Sequence, residues 1–161
     1  MHKKNGFTLI ELMVTIGVLA IVATLAAPSF GNLMNQQKLK TNVMDLKSQL
    51  QLARSQALLT RAATVVCINK SNTDGDITST TCAQKLPGFG SLSTALKSSN
   101  VFIVERDNKV VFDASIKDDF FIFNNLGKTS SKKVKLCSGS KSYTLTLSAA
   151  GTVETESGDA C

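Results

Sequence analysis

Few residues in this 161-residue sequence could do chemistry, and most are poorly placed for catalysis. Glu11 is a lone carboxylate inside an otherwise apolar run from Phe7 to Phe30. A carboxylate in a membrane helix costs on the order of 2.5–3.5 kcal/mol at the centre and less near the interface, so such an acid marks function by default. Four cysteines stand at positions 67, 82, 137 and 161. None forms a C-x-x-C pair, which disfavours metal or redox chemistry and points to disulfides in an oxidising compartment. The only histidine is His2, so no base of that kind serves a Ser-His-Asp or Cys-His mechanism in the body of the chain. Asp118-Asp119 is an adjacent acid pair of the kind that lies on a solvated turn. Ser138-Gly139-Ser140-Lys141-Ser142 has the composition of a phosphate loop but lacks the G-x-x-x-x-G-K-S/T spacing. Asn72-Thr73-Asp74-Gly75-Asp76 could suggest calcium. Aligned on the EF-hand pattern, however, it puts Lys70 first and Thr81 at the bidentate acid position, so a turn is expected instead. The chain reads as a non-enzyme with no metal site and no cofactor.

One charged feature remains. Lys128, Lys132, Lys133, Lys135 and Lys141 form a basic cluster in sequence that could meet the phosphates of DNA or simply solubilise a loop. The formal net charge of +6 is mild and does not by itself call for nucleic acid.

The elements that hold these residues follow from periodicity. As a helix, the 24 residues of Phe7–Phe30 reach about 36 Å, enough to cross a bilayer core of roughly 30 Å. Lys3 and Lys4 precede the run and should keep the N-terminus cytoplasmic. Beyond Gly31, the residues Leu39, Val43, Leu46, Leu50, Ala53 and Ala57 step by three and four, the stripe of an amphipathic helix. One helix is therefore expected from about Phe7 to about Arg61, bent at Pro28. After Ala63 the period shortens. Strands are expected at Thr64–Ile68, Val101–Glu105, Lys109–Phe112, Phe120–Phe123, Val134–Cys137, Tyr143–Leu147 and Thr152–Glu154. Arg106-Asp107-Asn108 reads as a hairpin turn between the second and third. Polar loops are expected at Asn69–Thr81 and around Leu86–Gly90. The fold class is α+β: a long N-terminal helix, half membrane and half amphipathic, packed on an antiparallel β-sandwich-like domain.

Lys4-Asn5-Gly6 followed by Phe7-Thr8-Leu9-Ile10-Glu11-Leu12 resembles the prepilin signal of type IV pilins and type II secretion pseudopilins. An ordinary secretory signal fits less well, because the run is long, no A-x-A site lies near its end, and Glu11 interrupts it. The resemblance implies cleavage by a prepilin peptidase between Gly6 and Phe7, N-methylation of Phe7, and a role in assembly for Glu11. Pro28 matches the place where many pilin helices kink. The domains implied are a leader peptide at 1–6, a transmembrane and assembly helix at 7–30, its amphipathic continuation at 31–62, and a periplasmic β-rich domain at 63–161. The later chain is similar to the minor pilin branch (FimU/FimT-like) and to H-type pseudopilins, whose common architecture is the pilin fold. Val65-Val66-Cys67, Phe123–Gly127, Val134–Cys137 and Leu145–Gly151 carry that likeness.

Implied partners are other minor and major pilins through the N-terminal helix, the prepilin peptidase, and the inner membrane before assembly. The implied location is a single-pass inner-membrane protein that later joins a pilus at the cell surface. The implied function is that of a structural subunit of a pilus tip or priming complex, supporting assembly, twitching motility and adhesion. Alternatives are a DNA-uptake minor pilin and an H-type pseudopilin of type II secretion. DNA-binding relatives often carry Gly-Arg-x-Arg near the C-terminus, where this chain has Gly151-Thr152-Val153-Glu154-Thr155-Glu156, so DNA is not favoured. The four cysteines allow three pairings. The local one, Cys67–Cys82 with Cys137–Cys161, is the expectation.

Overall fold

The computed structural model describes residues 7–69, 77–113 and 120–159, and for residues 25–29 it describes the backbone alone. Two compact units emerge, one ending at Met34 and one beginning at Asn35. Helix α1 (Leu9–Thr60) contributes to both. It begins immediately after Thr8, whose Oγ1 accepts the Glu11 N–H at 3.3 Å and so satisfies one free donor of the first turn. It ends where Arg61 takes a left-handed conformation, φ 50°. The buried Asn100 amide fixes that ending, donating to Thr60 Oγ1 at 2.9 Å and to the Ala63 carbonyl at 3.2 Å. The bend expected at Pro28 falls within 25–29, outside the described side chains.

Within the second unit the helix stripe is the floor of the core. Leu39, Val43, Leu46, Leu50, Ala53 and Ala57 are all buried. They pack in one cluster with Val66, Ile68, Val104, Phe121 and Phe123, and with Val134, Leu136, Leu145 and Leu147. Those partners come from two sheets. The first has three strands in the order β2 (Val101–Val104), β1 (Thr64–Ile68), β4 (Phe120–Phe123). The second has four, in the order β3 (Val111–Phe112), β5 (Lys132–Ser138), β6 (Lys141–Leu147), β7 (Val153–Asp159).

Strand β1 is central and covered on both faces. Val66 and Ile68 face α1, whereas Val65 and Cys67 join a second cluster with Cys82 and Leu86. A strand buried on both sides reads as a continuous apolar run, which is why Thr64–Ile68 shows no alternation. In the first part of β5 one face is wet and the burial alternates: Val134 and Leu136 are buried, Lys133 is exposed and Lys135 half-buried, before Cys137 and Ser138 are both covered.

Three expectations are corrected. Val101–Val104 and Val111–Phe112 do not form a hairpin. The first pairs in parallel with β1 and the second pairs with β5 in the other sheet. The physical reason lies in the loop between them: the Asp107 N–H donates to Asn42 Oδ1 at 2.9 Å and its carboxylate meets Lys38 at 2.9 Å, so helix α1 holds the crossing chain. The sheets are therefore not purely antiparallel. A parallel β1–β2 pair needs a crossover. That crossover supplies the third correction, since the loop expected over Asn69–Thr81 runs into helix α2 (Ser79–Ala83) and the turn around Leu86–Gly90 into a 3-10 turn at Phe89–Ser91; helix α3 (Thr94–Ser99) follows in a stretch to which no element was assigned. Both helices are short and stand on hydroxyl caps from Thr78 and Ser93.

Candidate functional site

The first unit presents apolar side chains on every side. Phe7, Leu9, Ile10, Leu12, Met13, Val14, Ile16, Val18, Leu19, Ile21 and Val22 are each more than half exposed. A helix apolar all round has no preferred wet face and calls for apolar surroundings on all sides. Glu11 is the one ionisable side chain among Phe7–Val22. It lies in the first turn, where a carboxylate complements the positive end of the helix dipole. Among the described residues no helix is long and apolar enough to cross a membrane. The span expected over 7–30 includes residues 25–29, whose side chains are not described. Gly6, on the leader side of the expected cut, also lies outside the described residues.

In the second unit the motif residues near Gly127 and Gly151 come together on α1. Asn124 builds the first turn, its Oδ1 accepting the N–H groups of Leu126 and Lys128. The second turn closes through the Gly151 N–H to the Ser148 carbonyl at 2.9 Å. The Thr129 N–H donates to the Ala149 carbonyl at 3.1 Å and ties the two turns. Arg54 lies against both. Its Nη1 donates to the Gly151 carbonyl at 3.4 Å, and its stem touches the space where a Gly127 or Gly151 side chain would sit. Gly151 has φ 80°, and a Cβ there would lie 2.5 Å from the Gly127 carbonyl oxygen, so the close approach requires glycine.

The cysteines and lysines are placed as follows. Cys67 and Cys82 form a disulfide with Cα atoms 5.9 Å apart, joining β1 to α2. Cys137 is also disulfide-bonded. Its expected partner Cys161 lies outside the described residues, as do Asp118-Asp119 and the loop Asn72–Asp76. Lys132 is committed to Phe120, its ammonium 3.0 Å from the carbonyl and 4.7 Å from the ring centre. Lys133 and Lys135 point outward from β5, and the register sets them in rows with Thr146 and Glu154 and with Thr144 and Glu156. Lys128 sits in the Asn124 turn and Lys141 opens β6. The outer sheet face is thus basic along one strand and acidic two strands away. Elsewhere, Asp107 has its pKa held below the ordinary carboxylate value, first by the Lys109 N–H and then by the Lys38 ammonium.

Comparison with known proteins resolves the class. A prokaryotic N-terminal methylation motif matches residues 1–27. The family described as Type II transport protein GspH matches residues 42–151. The chain belongs to the GspH family. A probable minor fimbrial protein of Dichelobacter nodosus is 25% identical over 128 residues, which is 78% of this chain and 74% of the relative. Prepilin peptidase-dependent protein D of Escherichia coli is 46% identical over 39 residues, 24% of this chain and 27% of that one. Prepilin peptidase-dependent protein A of Clostridium perfringens is 30% identical over 74 residues, 44% and 53%. The chain thus spans about half or less of these last two relatives. No solved structure gives a comparable match. A GspH-family chain with this motif is a pilin-type structural subunit, a minor pilin or pseudopilin, and not an enzyme.

Sequence reasoning missed Arg54, Asn100 and Asp107. Arg54 reads as one more charge on a wet helix face, and only its spacing of one residue from buried Ala53 hints at a packed stem. Asp107 sits in a stretch read as a turn, where Asp is common for local reasons, and Asn100 in one to which no element was assigned.

Proposed function

We propose that this chain is a minor type IV pilin of the FimU/FimT-like kind, a subunit of a pilus tip or priming complex that supports pilus assembly, twitching motility and adhesion. The observation that carries this is the exposed apolar run Phe7–Val22, helical from Leu9, with Glu11 as its only ionisable side chain, matched by the N-terminal methylation motif. In this reading the prepilin peptidase cuts between Gly6 and Phe7, and Phe7 is N-methylated. The run 7–30 holds the subunit in the inner membrane, with residues 63–161 in the periplasm, until it enters the filament among other pilins. A lone carboxylate in that setting is costly, and pairing with an ammonium relieves the cost. The new N-terminus at Phe7, on the same chain or a neighbour, supplies one. The minor fimbrial relative supports the pilus over other machines.

The test is to express Glu11→Ala in a deletion strain and compare its amount in sheared filaments with that in membranes. Cleavage and the soluble fold should be retained while filament content falls by most of its value. Wild-type filament content would refute the role. A second reading, the H-type pseudopilin of type II secretion, is favoured by the description of the matching family. In it the same deletion would block protein secretion and leave surface pili intact. DNA uptake ranks below both, because Glu154 and Glu156 share the outer sheet face with Lys133 and Lys135.

A further inference from the structure

A small polar cleft opens beside the first turns of the second unit's helix. It holds about 230 Å³ and is lined by Gln36 and Leu39 from α1, Lys141, Ser142 and Tyr143 from β6, and Ser157 from β7. Register brings Tyr143 and Ser157 opposite each other across the β6–β7 ladder. Leu39 is fully buried and Ser142 nearly so, and together they close the floor. The Ser142 hydroxyl is already used, donating to the Asp159 carbonyl.

The other four polar side chains are not used. Gln36, Lys141, Tyr143 and Ser157 make no side-chain hydrogen bond or ion pair among the described residues. One turn along the same helix the polar groups are paired, with Lys38 on Asp107 and Asn42 on the Asp107 backbone. The four free groups offer an ammonium, a phenol, an alcohol and an amide, and all can donate. Among the described residues no carboxylate lines the cleft. Asp159 is the cross-strand neighbour of Lys141, but the two form no ion pair. A donor-rich cleft with one ammonium and no acid among its described lining suits an oxyanion that accepts several hydrogen bonds at once.

We propose that this cleft binds a phosphate group. The fragment Ser140-Lys141-Ser142, which lacks phosphate-loop spacing in sequence, gains its partners from α1 and β7 instead. Two sources offer that chemistry, free phosphate and the headgroup of an anionic lipid. The second rests on the membrane anchoring proposed above, since Gln36 follows the end of the apolar run at Phe30 by six residues in sequence.

Tyr143 is the only tyrosine and there is no tryptophan, so one label reports on the cleft. The full chain carrying 3-fluorotyrosine, held in uncharged detergent, is titrated at constant ionic strength with inorganic phosphate, with short-chain phosphatidylglycerol, and with chloride as the control. The fluorine resonance should shift saturably with a phosphate-bearing probe and not with chloride. Saturation by phosphatidylglycerol alone assigns a lipid headgroup, and saturation by inorganic phosphate as well assigns the free anion. Lys141→Gln should weaken binding at least about tenfold with an unchanged far-UV spectrum, since a charge-assisted bond contributes about that much. Lys141→Arg should retain binding, and Ser157→Ala provides a second, milder loss. No shift with either probe, or full affinity in Lys141→Gln, would overturn the site. Flotation of the chain with uncharged vesicles tests the membrane reading separately, so its failure is not confused with failure of the cleft.

Discussion

The two halves of α1 solve opposite problems with similar residues. Between Leu9 and Val22 the large apolar side chains point in all directions and stay exposed. Between Leu39 and Ala57 the buried ones fall on one stripe, spaced by three and four, and two sheets of the same chain cover them. Apolar area removed from water contributes about 25 cal/mol per Å² wherever the cover comes from. In the second half the chain provides its own cover and that area stabilises the fold. In the first half the cover must come from other molecules, so the same chemistry serves association. Hydrophobicity alone does not separate the two roles. The angular distribution does.

The sharpest way to break this contrast is to truncate one leucine in each half. Leu50→Ala empties a fully covered site and should cost the second unit about 2–5 kcal/mol. Leu19→Ala should shift the same unit by no more than about 0.5 kcal/mol, as surface changes do. Urea denaturation of the full chain in detergent, followed by far-UV circular dichroism, reads both. Equal losses would erase the distinction. The glycines allow a finer version. Gly151→Ala forces a side chain onto the Gly127 carbonyl at a positive φ and should cost about 1–3 kcal/mol. Gly17→Ala meets nothing within 4 Å and should leave the second unit unchanged in the same assay.

The smallest effect is electrostatic. Asp107 ties a loop to the second half of α1, and its pKa is lowered from 3.8 in the folded chain. A depressed carboxyl pKa stabilises the fold fully above the unfolded value and loses that contribution as the pH falls through the folded value. Asp107→Asn should therefore lower the urea midpoint more at pH 6 than at pH 3. A difference that grows on acidification would contradict the assignment.

The sequence made the helix and its division legible because periodicity is a local property. The stripe Leu39–Ala57 was readable residue by residue, and so were β1 and β4, whose apolar runs have no competing period. The parallel β1–β2 pair was not readable. Val101–Val104 and Val111–Phe112 look like hairpin arms, and nothing local says that Asp107 is held by Lys38 and Asn42, some 65 residues away. The short helices α2 and α3 were lost for a related reason. Ser79-Thr80-Thr81 is poor helix-forming sequence, and a tertiary crossover overrides its propensity. For the candidate site, the motif Gly6–Glu11 was explicit, whereas the cleft at Lys141 needs three elements that sequence keeps apart.

The central claim is that the first half of α1 is a processed assembly helix. Mass spectrometry of the mature chain, isolated from membranes and from any filaments, tests it most directly. The mature chain should begin with N-methyl-phenylalanine at Phe7. A mature terminus near Ala27, or an unprocessed chain that still begins at Met1, would contradict it.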